Sequence, residues 1–326
     1  MSTWQIAAGS YGRDYSDRFL KHGMAFAGGE FWASMKEVAP GDRVILKSGI
    51  SQIIAVGEVV ARNGVHCGKE NKEWLSDFDG WDLNAWCYVD WHKPDEHIPT
   101  TGLTRSTIQR VNQEHLLKIA DNIIETVPKR LDYAPDPRPT TSIGDGVLIE
   151  KLIDLGLPVG ASEEMNHALG RIRLLAKFYT HRDLGLTNEH EARTFLVVPL
   201  LLALGWAEQR IRIELPVPGV GRADVGCFKK PFRGSDDKCM LLIETKNLGQ
   251  GLDYAPTQAR QYAVHFPECG TVLVTNGYCY KAYRREENAF ATDPCAYLNL
   301  LDLRDRYPLD PDRVGGALDV LELLLP

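Results

Sequence analysis

Residues 240–246 have the sequence Met-Leu-Leu-Ile-Glu-Thr-Lys, and they determine how the second half of the chain is interpreted. An apolar run of this length between loop residues is typical of a buried β-strand. Successive side chains of a strand point to opposite faces, so Glu244 and Lys246 share one face at the end of the strand. Two interpretations stay open for this stretch alone: a solvated ion pair on an edge strand, or an acid and a base delivered together to a site.

The composition is that of a globular protein with room for two domains. The 326 residues are 44% hydrophobic and 25% charged, and the net charge of −7 argues against indiscriminate nucleic-acid binding but allows a local basic cleft. The seven cysteines lack Cys-x-x-Cys spacing, which predicts neither a zinc site nor a disulfide framework. Without a long apolar run or a signal-peptide pattern, we expect a cytoplasmic protein with no membrane contact.

Polar residues in a definite order surround the stretch at 240–246. Glu189 follows the helix-capping residue Asn188, and Asp224 lies inside a strand-like run twenty residues before Glu244. Gln258 comes later, on a predicted helix. The order is therefore a helix with a glutamate, a strand with an aspartate, Glu-x-Lys at the end of the next strand, and a helix with a glutamine.

This order resembles the PD-(D/E)XK nuclease superfamily, and more closely the N-terminal nuclease domain of type I restriction motor subunits. The resemblance covers about residues 180–285, and its blocks are Asn188-Glu189 with Arg193, Pro199-Leu200-Leu201, Leu204-Gly205-Trp206, Arg222-Ala223-Asp224, Glu244-Thr245-Lys246, Gln258-Ala259 with Tyr262-Ala263, and Val274-Thr275-Asn276-Gly277. Ala223 replaces the proline that names the motif, whereas the aspartate is present. The resemblance implies an α/β fold with a mixed central sheet flanked by helices.

Phosphodiester hydrolysis needs charge neutralisation at phosphorus and a hydroxide near neutral pH, and Mg²⁺ held by carboxylates supplies both. The expected ligands are Asp224, Glu244 and the carbonyl oxygen of Thr245. Mn²⁺ is expected to substitute for Mg²⁺. Because the chain contains no Walker A loop or other motor motif, we expect no use of ATP.

The remaining nuclease residues have expected roles around the metal. Lys246 would orient the attacking water, with a pKa lowered by the cation, and Gln258 would position the nucleophile or the phosphate. Glu189 would hold a metal-bound water or a second ion. Glu191 is the alternative for this role. Glu189 and Glu191 are two residues apart on a helix and point in different directions, so only one of them can face the metal. A helix-surface ion pair with Arg193 is the other interpretation of Glu189.

The first half contains an unusually aromatic stretch. Its members are Trp74, Phe78, Trp81, Trp86, Tyr88 and Trp91, interleaved with aspartates. As a strand, residues 85–91 alternate between two faces, and one face is expected to pack in the core. Each ring therefore has two open roles: packing in the core, or stacking on a planar group such as an extruded base.

The order of blocks in the first 120 residues resembles the PUA-like superfamily, in particular its EVE and YTH-like branch. The blocks are Ala8-Gly9-Ser10-Tyr11-Gly12, Phe19-Leu20, Pro40-Gly41-Asp42-Arg43-Val44 and Ala55-Val56-Gly57-Glu58-Val59. The resemblance implies a small β-barrel with helical additions that holds a modified nucleobase in an aromatic cage. By position, Ser10 and Tyr11 would line the pocket, Trp32 and Trp81 would form its walls, and Asp82 would accept from the base edge.

The predicted domain organisation has three parts. Residues 1–126 form the PUA-like domain, and the helical spacing of residues 107–124 is expected to close it. Residues 127–145 contain four prolines and are interpreted as an extended linker. Residues 146–326 form the nuclease domain, which begins with two helices.

The second of these helices is predicted to begin at Ser162, because two glutamates follow in its first turn. It contains Arg171, Arg173 and Lys177. A solvated helix face is the favoured interpretation of this basic stripe, and contact with DNA is the alternative.

Together, the two resemblances imply a modification-dependent endonuclease of the type IV restriction kind, which serves in defence against viruses. Its partner would be double-stranded DNA carrying a modified base, with a modified cytosine flipped from the duplex as the favoured ligand. Since one centre cuts one strand, we expect a homodimer or transient pairing on DNA. The alternatives are an RNA or repair nuclease with an RNA-reading domain, and a non-catalytic reader with a degenerate nuclease fold.

Overall fold

The structure is a computed structural model, and it describes residues 1–182, 187–234, 238–287 and 289–326. The chain divides into two compact units, Met1–Pro137 and Arg138–Pro326. Each unit contains one mixed sheet with helices, and the sheets are curled, one of them into a half-barrel. The protein is therefore a mixed α/β protein. The division falls inside the stretch predicted as a linker.

The first unit is built on an eight-stranded sheet. Its strands are β1 (Thr3–Ala7), β2 (Met24–Ala27), β3 (Arg43–Ser48), β4 (Gln52–Val59), β5 (Cys67–Lys69), β6 (Ala85–His92), β7 (Ile98–Pro99) and β8 (Ile108–Arg110). The order is β2-β6-β4-β3-β1-β8, with β5 on β6 and β7 on β4, and only β1 and β3 are parallel. The helices are α1 (Ser16–His22), α2 (Trp32–Met35) and α3 (Glu114–Thr126).

Strand β6 confirms the predicted alternation. Cys87, Val89 and Trp91 are fully buried on one face, whereas Tyr88 and Asp90 on the other face are half-buried. Trp86 is buried as well, because Gly68 on the neighbouring β5 leaves room for its ring. These rings belong to the core, and their burial fixes β6 in the middle of the sheet.

The predicted helix at residues 107–124 is wrong in its first part. Ile108–Arg110 forms β8, which pairs antiparallel with β1, and the helix α3 begins only at Glu114. Ile108 and Val111 have a spacing that suits a helix, but the free edge of β1 offers backbone partners that a local pattern does not reveal. Non-local pairing therefore decides this segment.

The proline-rich stretch has no helix or strand of its own, yet each part of it is held by one unit. The backbone N–H of Arg130 donates to Trp91 O, and that of Ala134 donates to Lys21 O, each at 2.8 Å. Farther on, the N–H of Ile143 donates to Leu303 O at 2.7 Å, within the second unit. Hydrogen bonds to the nearest unit therefore fix this extended backbone on both sides of the division.

The second unit is built on a seven-stranded sheet. Its strands are β9 (Ile211–Val217), β10 (Gly221–Phe228), β11 (Cys239–Thr245), β12 (Thr271–Thr275), β13 (Cys279–Glu286), β14 (Ala289–Phe290) and β15 (Ala296–Asn299). The order is β14-β13-β12-β11-β10-β9 with β15 on β13, and β11 and β12 are the parallel pair. The helices are α4 (Asp145–Asp154), α5 (Val159–Thr180), α6 (Glu189–Ala192), α7 (Val198–Ala203), α8 (Ala255–Ala263) and α9 (Ala317–Leu324).

Strand β11 contains most of the stretch at residues 240–246 and is central. It lies between β10 and β12, and Leu241, Leu242 and Ile243 are buried. The edge-strand interpretation of this stretch is therefore wrong. Parallel pairing of β11 with β12 requires a crossover, which α8 supplies, so this helix follows directly on the polar end of β11.

Two predicted helix starts have different outcomes. Asn188 caps α6 as predicted, and its side chain accepts from the N–H of Glu191. Helix α5 begins at Val159 rather than at Ser162, which is buried inside the first turn and donates its hydroxyl to Pro158 O. Pro158 precedes the helix with extended backbone angles, and this conformation sets the earlier start. Among the described residues, none of the helices is long and apolar enough to span a membrane.

Candidate active site

The polar ends of β10 and β11 bring two carboxylates together. Val225 pairs with Ile243, which places Asp224 and Glu244 on one face of neighbouring strands. Both side chains are buried, with exposures of 8% and 4%. The N–H of Thr245 donates to Asp224 Oδ2 at 2.6 Å and links the two strand ends. The sheet therefore holds the two predicted metal-binding acids side by side in a nearly dry site.

Lys246 connects Glu244 to helix α8. Its Nζ donates to Glu244 Oε1 at 2.9 Å and to Gln258 Oε1 at 3.2 Å. The Nε2 of Gln258 donates in turn to the hydroxyl of Tyr262 at 2.9 Å, one helical turn away. The backbone N–H of Lys246 donates to Thr275 O on β12 at 2.7 Å. Backbone and side chain together fix the position of the ammonium group.

Glu189 approaches the same carboxylates from the start of α6. Its pKa is raised by burial and by the charge of Asp224, and the charge of Lys246 opposes that increase, so these groups interact electrostatically. Glu191 has another role, because its Oε2 accepts from the N–H of Asn188 at 3.1 Å in the capping box. Of the two predicted alternatives, Glu189 is the one whose charge acts on the strand-end acids.

A surface ion pair with Glu189 was one of two interpretations of this helix start, yet Arg193 is buried at 4% exposure. Its Nη1 donates to Asp224 Oδ1 at 2.6 Å, and its Nη2 forms an ion pair with Glu214 at 2.6 Å. Nη2 also lies 2.5 Å from His190 Nδ1. A buried guanidinium requires several acceptors, and the strand carboxylates supply them. Sequence reasoning missed Glu214, because a single glutamate within a predicted strand carries no signal of a partner on another element.

The local helix geometry supports the position of Arg193. Residues Arg193–Val197 form a π-helix between α6 and α7, in which the N–H of Val198 donates to Arg193 O. Pro199 has no N–H and its ring would clash with the carbonyl four residues earlier in a regular helix, so the wider turn relieves this conflict. Pro199 is the feature of the sequence that could have indicated the irregular turn.

The pKa values of both strand-end acids and of Lys246 are raised above their ordinary values. Burial raises the pKa of Glu244 to about 7, and the charge of Asp224 contributes. Burial also raises the pKa of Asp224. Burial lowers the pKa of Lys246, but the hydrogen bond and the charge of Glu244 outweigh burial, so its pKa is raised overall. The electrostatic environment therefore resists a second negative charge beside Asp224.

Metal-binding capacity rests on a small donor set. Within the described ranges, no group of three or more His, Cys, Asp or Glu side chains is arranged to hold a metal ion. Mg²⁺, however, is commonly bound through one or two carboxylates while it keeps several waters. Glu244 Oε2 is buried and has no hydrogen-bond partner, and Asp224 and the backbone of Thr245 are adjacent. An unpaired, buried carboxylate oxygen is a suitable ligand for a hard cation, so Asp224, Glu244 and the Thr245 carbonyl fit Mg²⁺.

In the first unit, the structure separates the tryptophans by burial. Five of the seven are buried in the two units, namely Trp4, Trp74, Trp86, Trp91 and Trp206. Trp32 and Trp81 are half-buried, and they are the two that sequence reasoning assigned to the pocket walls. Among the described residues, these are therefore the two tryptophans with substantial ring surface available for a ligand.

The loop with Ser10 and Tyr11 lies beside Trp81. Arg13 connects them: its N–H donates to Ser10 O at 3.1 Å, and its guanidinium lies 4.0 Å from the centre of the Trp81 ring. Arg13 also donates to Asp79 O at 3.0 Å. Ser10 is exposed, and Tyr11 is 75% exposed with a φ of 50°. The predicted loop residues therefore lie at the surface, and Arg13 covers one face of Trp81.

Asp82 and Trp32 belong to neighbouring stretches. Asp82 is exposed by surface area, and partial desolvation of its carboxyl group, followed by the charges of Glu30 and Glu70, raises its pKa. Gly29 lies close to Asn84, because a Cβ added at Gly29 would be 2.5 Å from Asn84 Oδ1. Trp32 follows at the start of α2. The structure thus brings Gly29 and Glu30 next to residues 82–84.

No family model matches the chain, and no curated protein matches it either. The resemblances of the two halves to known families therefore stay predictions, and the geometry of the two units is the basis for assigning a function.

Proposed function

We propose that the chain is a Mg²⁺-dependent DNA endonuclease that recognises a modified base and cuts the duplex nearby. One observation carries the nuclease assignment: Lys246 Nζ bridges Glu244 and Gln258 beside the buried carboxylate of Asp224. An acid pair, an ammonium group and an amide in one cluster are the groups that phosphodiester hydrolysis requires.

The order of elements in the second unit supports this proposal. Helices α6 and α7, the antiparallel strands β9, β10 and β11, the crossover helix α8 and the parallel strand β12 follow one another along the chain. This is a mixed sheet with flanking helices, as the PD-(D/E)XK resemblance implies. The acidic and basic groups come from the ends of neighbouring strands and from the helices next to them, which is how the resemblance distributes them.

In the proposed reaction, water attacks phosphorus, and the bond between phosphorus and one ester oxygen breaks. The products are a phosphate monoester and an alcohol, which takes up a proton. Lys246 donates hydrogen bonds that orient the water, and Gln258 keeps Lys246 in place from α8. Glu189 adds negative charge at the edge of the cluster. Bound to Asp224, Glu244 and the Thr245 carbonyl, Mg²⁺ would neutralise charge on the phosphate and lower the pKa of water.

The first unit supplies the proposed specificity. Trp32 and Trp81 have ring surface available, and aromatic rings stack on extruded bases. Ser10, Tyr11 and Asp82 lie at the surface of the same region, where they can donate to or accept from a base edge. Because one catalytic centre cuts one strand, cleavage of both strands requires a homodimer or two chains that meet transiently on DNA.

A digestion panel tests the proposal. The purified chain is incubated with Mg²⁺ and plasmid DNA that is unmodified, methylated, hydroxymethylated or glucosylated at cytosine, and with RNA. We expect cleavage of one modified DNA and little of the others, and none in EDTA. Equal cutting of all DNA substrates would contradict the proposed recognition of a modified base. Cutting of RNA alone would favour the alternative of an RNA nuclease. Binding of modified DNA without any cutting would favour a non-catalytic reader.

A further inference from the structure

One group of residues surrounds the proposed metal ligand Asp224, and its other three members have no part in the reaction described above. We call it the Arg193 cluster, and its members are His190, Arg193, Glu214 and Asp224. We propose that Glu214 is a positioning residue: it neutralises Arg193, so that Arg193 can orient the metal ligand Asp224 without repelling Mg²⁺. This inference rests on the proposed function, because it concerns a ligand of that site.

The carboxylate of Asp224 is held on both oxygens. Arg193 Nη1 donates to Oδ1 and the N–H of Thr245 donates to Oδ2, each at 2.6 Å. The terminal torsion of an aspartate is soft, so two donors from opposite sides are needed to fix its plane. Each oxygen keeps a further lone pair for a cation. Arg193 therefore orients Asp224 and still leaves both carboxylate oxygens able to bind a cation.

A guanidinium beside a divalent cation would by itself weaken metal binding. Glu214 removes this conflict, because it forms an ion pair at 2.6 Å with Nη2 of Arg193, the terminal nitrogen that does not bond to Asp224. With Glu214 ionised, the carboxylates of Glu189, Glu214, Asp224 and Glu244 outnumber the cations Arg193 and Lys246 by two. The formal charge of the site is then equal and opposite to that of Mg²⁺. Without Glu214, half of this negative excess is lost.

The backbone of Glu214 indicates that its side chain is required there. Its φ is 53°, in the left-handed region that a residue with a Cβ adopts at a cost in free energy. On either side of it, Ile213 pairs with Val225 and Leu215 with Ala223, so the strained residue lies across from Asp224. Glycine would adopt this conformation without strain. The backbone conformation alone would favour glycine here. We therefore infer that glutamate occupies this position because its carboxylate is needed.

The test uses calorimetric Mg²⁺ titration of the full chain together with cleavage kinetics. Glu214→Gln removes the charge and keeps the size, and Glu214→Gly removes the charge together with the strain. From the Coulomb energy at partly exposed sites, we expect both variants to bind Mg²⁺ about five- to tenfold more weakly. Glu208→Gln, at an exposed position just before β9, is the matched control and should bind Mg²⁺ like the wild type.

The double variant R193Q/E214Q separates charge from structure. It restores the formal charge of the site. We therefore expect its dissociation constant for Mg²⁺ to be no more than about twice that of the wild type. Its kcat should stay low, because Asp224 loses one of its two fixing donors. Recovery of Mg²⁺ affinity without recovery of kcat would identify Arg193 and Glu214 as positioning residues.

Three results would overturn the inference, and they are distinguishable. Unchanged Mg²⁺ affinity in both Glu214 variants would show that Glu214 does not balance Arg193. A double variant that binds Mg²⁺ more weakly than E214Q would show a purely structural ion pair. If the wild-type chain binds no Mg²⁺ at all, the proposed function fails first and this inference fails with it.

Discussion

Lys246 Nζ lies 2.9 Å from Glu244 Oε1, although only one residue separates the two in the sequence. The pair lies at the end of a central strand, where Glu244 is buried with a solvent exposure of 4%. An exposed pair of this kind contributes little to stability, whereas a buried pair requires partners for every group. The partner of Lys246 on its other side is Gln258, and this connection leads to the first prediction.

Lys246→Ala should abolish cleavage while leaving the binding of modified DNA unchanged. Loss of a group that orients the attacking water is expected to lower kcat about 1,000-fold. Single-turnover cleavage in Mg²⁺ and a gel-shift titration in EDTA measure the two quantities separately. Lys238→Ala is the matched control, since its pair with Glu268 is exposed. Retained cutting by the Lys246 variant would remove the active-site assignment.

Gln258→Ala should have a smaller effect than Lys246→Ala. The amide fixes the ammonium group rather than acting on water itself, so we expect kcat to fall about thirtyfold, which corresponds to about 2 kcal/mol. Tyr262→Phe removes only the hydrogen bond to Gln258, and we expect it to lower kcat about threefold to tenfold. Gln261→Ala, exposed on the same helix, is the control. Equal effects of the Gln258 and Gln261 substitutions on kcat would argue against this chain of contacts.

The site was predictable where local patterns determine it. The apolar run before Glu244 identified the strand, and Asn188 identified the helix start that brings Glu189 to the cluster. Glu214 was not predictable, because its role depends on a guanidinium that arrives from a different element. The same reason explains the missed strand β8, whose partner β1 lies about one hundred residues earlier. Periodicity describes a single element and contains no information about what packs on it.

Burial separated the tryptophans in a way that their spacing could not. Trp86 and Trp81 occur in the same aromatic stretch, yet the first is fully buried and the second is half-buried. The difference arises because Trp86 lies on β6 and packs against β5, whereas Trp81 lies in the turn before that strand. A sequence pattern gives the number of rings, and the sheet decides which of them are available to a ligand.

Metal-free protein should show a pH-dependent stability that Glu244 dominates. Burial raises its pKa in the folded state from the usual 4.5 to about 7. A raised pKa means that its contribution to stability is fully present below about pH 4.5 and is lost as the pH rises through about 7. Glu244→Gln keeps the shape and an acceptor for Lys246, so it should be the more stable protein at pH 8.

Urea denaturation in EDTA at pH 5 and pH 8 measures this difference. We expect the free energy of unfolding of the wild type to fall relative to that of Glu244→Gln by about 2 kcal/mol between the two pH values. Adding Mg²⁺ at pH 8 should stabilise the wild type and leave the variant nearly unchanged. Parallel pH profiles for the two proteins would contradict the assigned burial of this carboxylate.

Trp81→Ala and Trp32→Ala should weaken binding to modified DNA without lowering the cleavage rate of bound substrate. Stacking of one base on an aromatic ring corresponds to about 1–3 kcal/mol, so a loss of about tenfold to hundredfold in affinity is expected. Arg13 covers one face of Trp81, so a base would stack on the part of this half-buried ring that Arg13 does not cover. Fluorescence anisotropy with matched modified and unmodified duplexes measures the change. Phe178→Ala, an exposed ring of the second unit, is the control for loss of aromatic surface. If both duplexes lose affinity equally in the tryptophan variants, the rings contribute to general DNA binding and specificity must reside elsewhere.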